Sequence, residues 1–182
     1  MIRYFIFLIL YIKNKIFLSK VNLKGFCVIF NFPKSKIKLG SGIINSSFTS
    51  NMLGLYQRTI IVARYGGEIE IGDGFGISGS TIYAFQSIKI GKNVLIGANC
   101  KIIDNDFHSI DYKYRNTPND KEYTKREPIF IGDNCFIGMN SIILKGTRLG
   151  NNVVVGAGSV VHGTFPDNVI IAGNPAKIIK YL

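Results

Sequence analysis

Residues 131–166 read IGDNCF, IGMNSI, ILKGTR, LGNNVV, VGAGSV and VHGTFP. An aliphatic side chain opens every block: Ile131, Ile137, Ile143, Leu149, Val155 and Val161. Glycine follows at 132, 138, 150 and 156, and the fifth place holds Cys135, Ser141, Thr147, Val153 and Ser159, most of them small. An α-helix does not keep one residue type in phase at this period, because six residues advance it by about 600°, or about 240° net. A flat strand alternates every two residues. A triangular coil with one short strand per side accounts for all three columns. The aliphatic points inward, the glycine permits the corner, and the small residue fits the narrowing interior. The expected fold class is all-β, a parallel β-helix.

The same register runs upstream. Ile71, Ile77 and Tyr83 open IGDGFG, ISGSTI and YAFQSI; after one extra residue, Lys89, Ile90, Ile96 and Ile102 open IGKNVL, IGANCK and IIDNDF. A weaker run at Ile37, Ile43, Thr49, Leu55 and Ile61 extends the solenoid in degraded form. The chain therefore divides into an N-terminal segment, 1–36, and a repeat domain, 37–182. Cys100 and Cys135 fall on inward-facing places. Together with Cys27 they make an odd number with no CxxC spacing, so neither a disulfide framework nor a zinc site is indicated, and a reducing cytoplasm fits.

The formal charge of +11 is unevenly placed. Residues 1–40 carry eight basic side chains and no acid, against 14 basic and 11 acidic in the remainder. The basic segment shows none of the aromatic and basic interleaving of a nucleic-acid module, so no nucleic-acid partner is expected. It does contain a continuous apolar run, Tyr4–Ile12, which is shorter than the ~20 residues that cross a bilayer. Lys13 and Lys15 follow the run, which is unlike a signal peptide. Two readings stay open: a cap over the open first coil, and peripheral contact with the inner face of a membrane.

Between the blocks that start at Ile102 and Ile131 the period breaks. HSIDYKYRNTPNDKEYTKREP, 108–128, is polar and aperiodic, and predicts a protruding loop over about 108–130. One of only two histidines, His108, stands where this loop leaves the coil, with Asp104 and Asp106 just before it. An imidazole with a carboxylate neighbour suits a general base, since the carboxylate selects its tautomer. The plain alternative is a surface histidine with incidental acidic neighbours. No metal is expected at this hard, single-histidine set.

These residues resemble the hexapeptide-repeat acyltransferases. The resemblance rests on the repeat over about 65–166, the stretch IIDNDFHSID at 102–111, and the tail AGNPAKIIK at 172–180. It is nearest to maltose- and galactoside-type O-acetyltransferases and to those of surface-polysaccharide assembly. It implies a left-handed β-helix, a homotrimer with sites between subunits, and acetyl-CoA as cosubstrate. It implies His108 as the base that deprotonates a sugar hydroxyl, with Asp104 and Asp106 orienting it or binding the sugar. Backbone N–H groups at Gly138 and Met139 would hold the oxyanion. Phe136 would line the cofactor channel, Gly156, Ala157 and Gly158 would let the pantetheine arm lie close, and Lys177 and Lys180 would meet the phosphates. Ser78, Ser80 and Tyr83 are the candidates for the acceptor pocket. His162 departs from the family, many of whose members carry lysine there.

The expected activity is acetyl transfer to a sugar hydroxyl in capsule or lipopolysaccharide synthesis. The acceptor would be a free carbohydrate, a nucleotide sugar or a lipid-linked glycan. N-acetylation of an amino sugar, and a non-catalytic scaffold, stand as alternatives. A scaffold has no use for His108 or for the GNPAK tail.

Overall fold

The computed structural model describes residues 20–46, 49–55 and 57–182. The apolar run Tyr4–Ile12 lies outside them. The described residues wind through six three-stranded coils. The first holds β1 (Val21–Lys24), β2 (Val28–Asn31) and β3 (Lys36–Leu39). The second holds β4 (Gly42–Asn45), β5 (Ile60–Ala63) and β6 (Glu68–Ile71), and the third β7 (Phe75–Ser78), β8 (Thr81–Ala84) and β9 (Ser87–Ile90). Next come β10 (Leu95–Ile96), β11 (Lys101–Ile103) and β12 (Ile129–Ile131), then β13 (Phe136–Ile137), β14 (Ile142–Leu144) and β15 (Arg148–Leu149). β16 (Val154–Val155), β17 (Val160–Val161) and β18 (Thr164–Phe165) complete the coils, and β19 (Val169–Gly173) and β20 (Ala176–Tyr181) end the chain.

Successive coils pair in parallel and form three faces. Sheet A runs β1-β4-β7-β10-β13-β16-β19-β20, sheet B β2-β5-β8-β11-β14-β17, and sheet C β3-β6-β9-β12-β15-β18. Among the described strands β20 alone runs antiparallel to its neighbour, β19. The expected boundary at 36/37 falls inside β3, and the solenoid already includes Val21–Lys24. The described part of the N-terminal segment is therefore coil, not a separate cap.

The core is a stack of aligned aliphatics. On sheet A, Ile44, Ile77, Ile96, Ile137, Val155 and Ile171 lie in register and are buried. Ile61, Ile82, Ile102, Ile143 and Val161 do the same on sheet B. Each such side chain contributes about 1.5–3 kcal/mol by leaving water. The small column packs between them, and its hydroxyls are satisfied by carbonyls of the coils. Thr147 Oγ1 donates to Leu144 O at 2.7 Å and Ser159 Oγ to Gly156 O at 2.6 Å. Cys100 and Cys135 are buried as expected, and burial pushes the Cys27 thiol up to about 11, so these cysteines are fillers.

Three features of the expected register are corrected. Ile82, not Tyr83, points inward: the step from Ile77 is one residue shorter than the repeat predicts, and the step on to Ile90 is one residue longer. Ile44, not Ile43, is the inward residue of β4. Thr49 and Leu55 belong to no strand. The corner glycines also act differently from expectation. A Cβ on Gly138 would sit 2.6 Å from Ala157 N, so this glycine permits close stacking of coils. The left-handed corner residue is instead the asparagine three places after the aliphatic: Asn93, Asn99, Asn134, Asn140 and Asn152 have φ between 55° and 60°. Asparagine tolerates that region better than other residues that carry a Cβ.

Candidate active site

The 104–128 loop joins β11 on sheet B to β12 on sheet C, and so leaves the B–C corner of the prism. Its base is closed by an antiparallel bridge between Asn105 and Arg126, by Asp106 N–H donating to Lys125 O, and by Glu127 N–H donating to Asp104 O. Tyr114 and Tyr123 stack farther along the loop at 3.6 Å between centroids.

His108 is more than half exposed, and its Nδ1 lies 2.5 Å from Asp120 Oδ2. Asp120 is itself buried; its other oxygen accepts the Ser109 N–H at 2.6 Å. Those two donors, the Ser109 amide first and the His108 ring second, hold the Asp120 carboxyl below the usual carboxylate range. An ionised carboxylate only accepts, so Nδ1 carries the proton and Nε2 is left as a free lone pair. That is the tautomer a general base requires.

Asp120, not Asp104 or Asp106, therefore orients the ring. Asp104 is fully buried and accepts the backbone N–H groups of Phe85, Gln86 and Ser87 at 2.7–2.8 Å, plus Asn105 Nδ2 at 3.0 Å. Its work is to tie the loop's base to the preceding coil. Asp106 pairs with Lys145 Nζ at 2.5 Å, while its Oδ2 is buried without a partner. Its backbone carbonyl, not its side chain, meets His108, accepting the amide N–H at 2.7 Å. Nothing in the spacing of the loop separates Asp120 from Asp111 or Glu122; only the fold brings Asp120 under the ring.

The acceptor candidates separate. Tyr83 lies beside the loop, its ring 5.1 Å from that of Phe107 and 5.6 Å from that of Phe85. Ser80 is buried, donating to Ser78 O and Gly97 O and accepting Cys100 N–H, so it is part of the coil interior and no pocket residue. Ser78 is half-buried at the A–B corner, away from the corner that carries His108.

The cofactor candidates gather on sheet A and its A–B corner. Phe136, Val154, Ile170 and Lys180 form one row across sheet A, and Phe136 is 46% exposed. Lys177 pairs with Ala172, whose Cβ lies against Gly156. Gly158 adopts φ +72° with open space where a Cβ would stand. Gly138 N–H is spent on Val155 O, which leaves Met139 as the amide of that pair. His162 follows β17 on the B–C corner.

Over 161 residues the chain is 34% identical to a putative lipopolysaccharide biosynthesis O-acetyl transferase of Escherichia coli K12, a match covering 85% of this chain and 79% of the relative. It belongs to the hexapeptide-repeat acyltransferases. The repeat region, 87–103 and 128–162, matches the family described as hexapeptide repeat of succinyl-transferase. The galactoside O-acetyltransferase of the same strain is 30% identical over 167 residues, 90% of this chain and 80% of that one. A solved galactoside acetyltransferase in complex with coenzyme A superposes with a TM-score of 0.58 at 25% identity, covering 80% of this acyltransferase and 64% of that chain. The coil of this acyltransferase has the left-handed sense of that fold.

Proposed function

We propose that the protein is a homotrimeric, acetyl-CoA-dependent O-acetyltransferase acting on a sugar hydroxyl during surface-polysaccharide synthesis. The observation that carries the reading is the His108–Asp120 pair, with Nε2 free at the surface. Relatives that acetylate sugars supply the substrate class.

In the proposed reaction His108 Nε2 takes the proton of the acceptor hydroxyl as its oxygen attacks the thioester carbonyl. Asp120 stabilises the imidazolium that forms. The Met139 amide donates to the developing oxyanion. When the tetrahedral species collapses the C–S bond breaks, and His108 returns its proton to the departing thiolate. No covalent enzyme intermediate is needed. The cofactor surface fits this use: Gly158 faces open space, Phe136 offers an exposed ring, and Lys177 and Lys180 are exposed cations at the chain's end.

His108 leaves the B–C corner, whereas Met139, Ala157 and Gly158 lie on the A–B corner. One triangular prism holds these on different edges, so a complete site needs a second copy. Exposed Ile43, Leu95 and Phe136 on sheet A, with Ile142 and Leu144 on sheet B, supply apolar surface for that contact. Closed cyclic symmetry then favours the family's trimer. Among the described residues no helix is long and apolar enough to cross a membrane. We place the enzyme in the cytoplasm, where acetyl-CoA is made.

Thiol release from acetyl-CoA, measured with a panel of sugars, nucleotide sugars and amino sugars, tests the reading. His108→Ala should lose roughly 10²–10⁴ in rate while still binding coenzyme A. Absence of coenzyme A binding and of thiol release in the wild type would leave the scaffold as the better account.

A further inference from the structure

A cavity of about 310 Å³ opens beside the loop, lined by Tyr65, Phe85, Lys121, Glu122, Thr124 and Arg126. His108 does not line it. The two sites share a wall: Asp120 holds the His108 ring, and the next two residues, Lys121 and Glu122, face the cavity. Thr124 Oγ1 donates to Asp120 O, and Lys121 Nζ donates to Phe107 O, so the wall is braced from both ends.

The floor is aromatic. Phe107, adjacent to His108 in the chain, packs on Phe85 at 5.9 Å, and Phe85 packs edge-on against Tyr65 at 4.8 Å. The rings thus lead from the catalytic histidine's neighbour into the cavity. Tyr65 is held with φ +56° and is 44% exposed, a large aromatic kept at a left-handed corner where glycine or asparagine would be easier. Arg64 stacks over its ring at 4.6 Å, which fixes the ring's tilt. Around this platform stand a carboxylate and two cations, Glu122, Lys121 and Arg126. An apolar ring face bordered by charged donors and an acceptor matches the two surfaces of a pyranose, C–H groups on its face and hydroxyls on its rim.

We propose that this cavity is a second sugar subsite, which holds a pyranose ring of the acceptor glycan beyond the ring that is acetylated. The inference rests on the acetyltransferase reading for its direction but not for its measurement. The acceptor class it names is a glycan of at least two rings, with the distal ring stacked on Tyr65 and its hydroxyls bonded to Glu122 and Arg126. A free monosaccharide leaves this subsite empty.

The test is saturation-transfer NMR on the intact protein with methyl α-glucoside, methyl β-galactoside, maltose and lactose as probes. At least one disaccharide should receive saturation on both rings and bind more tightly than the matching methyl glycoside. Tyr65→Asn removes the ring while keeping a residue suited to φ +56°, and should weaken disaccharide binding by roughly three- to tenfold, leaving the methyl glycoside unchanged. Arg126→Gln gives a second, conservative reading of the same loss. His108→Ala should keep the gain in affinity of the disaccharide over its methyl glycoside, and Tyr65→Asn should remove it in that background too, which separates this subsite from the transfer chemistry. Equal disaccharide binding by wild type and Tyr65→Asn, or saturation on no probe, would overturn the proposal, whether or not the enzyme releases thiol from acetyl-CoA.

Discussion

His108 and Asp120, twelve positions apart within the 104–128 loop, face each other with Nδ1 to Oδ2 at 2.5 Å, the imidazole exposed and the carboxylate buried. The buried carboxylate and the exposed imidazole are thus differently placed. Asp120 is locked by Ser109 N–H and keeps its charge, and His108 keeps one lone pair available to a substrate.

Asp120→Asn tests that arrangement. An amide presents N–H as readily as C=O toward Nδ1, which allows the proton to move to Nε2 and removes the base. The rate of acetyl transfer should fall by roughly 10²–10⁴, with the affinity for coenzyme A unchanged. A rate within twofold of wild type, read by thiol release, would show that the carboxylate does not set the tautomer.

Asp104→Ala should behave differently. It strips the Phe85, Gln86 and Ser87 backbone N–H groups, the first of them buried, of their acceptor, which should cost about 2–3 kcal/mol of stability. Chemical denaturation would show the loss as a lowered midpoint. Activity per folded molecule should fall less than in Asp120→Asn, because the residue ties down the loop's base without touching the ring.

Acid should act late on this loop. A carboxyl whose folded value is depressed stabilises fully above its unfolded value, near ~4, and loses that contribution only as pH falls through the lower folded value. Near-ultraviolet circular dichroism of the stacked Tyr114–Tyr123 pair should therefore be constant from neutrality down to about pH 4 and change only below it. A change between neutrality and pH 5 would mean that Asp120 is not held as described.

Sites shared between copies should complement. His108→Ala and Ala157→Trp should each be inactive alone, the first lacking the proposed base and the second blocking the open A–B corner. Co-expressed at equal levels, they should regain about a quarter of wild-type activity by random assembly of a cyclic trimer. No regain, with the mixed trimer verified by mass, would place the whole site on one chain.

How much of this was legible beforehand differs between coil and loop. The repeat from Ile131 announces its inward column because the three sides of a coil are alike, which copies one residue's environment six places on, and each coil stacks on the last in the same register. The copying fails where the chain changes pace. Tyr83 takes the inward place by period alone, yet Ile82 occupies it because the corner after Ile77 is one residue tighter. His108 stood out by rarity and by position. Asp104 and Asp106 drew attention by closeness in sequence, but both carboxylates turn away, one to Phe85–Ser87 amides and one to Lys145. Asp120 reaches the ring only because the loop folds back, and an aperiodic loop carries no spacing rule to reveal that.

The reversed last strand has a consequence for the molecule's length. A parallel coil exposes at its end the same ladder of N–H and C=O groups that it presents inside, an invitation to endless end-to-end growth. On sheets B and C the final strands, β17 and β18, are only two residues long, and offer little to copy. On sheet A the chain turns back after Gly173 and lays β20 antiparallel along β19, ending the face in a direction that no further parallel coil continues. The segment read as a cofactor-contacting tail thus also closes sheet A against further parallel stacking at that end.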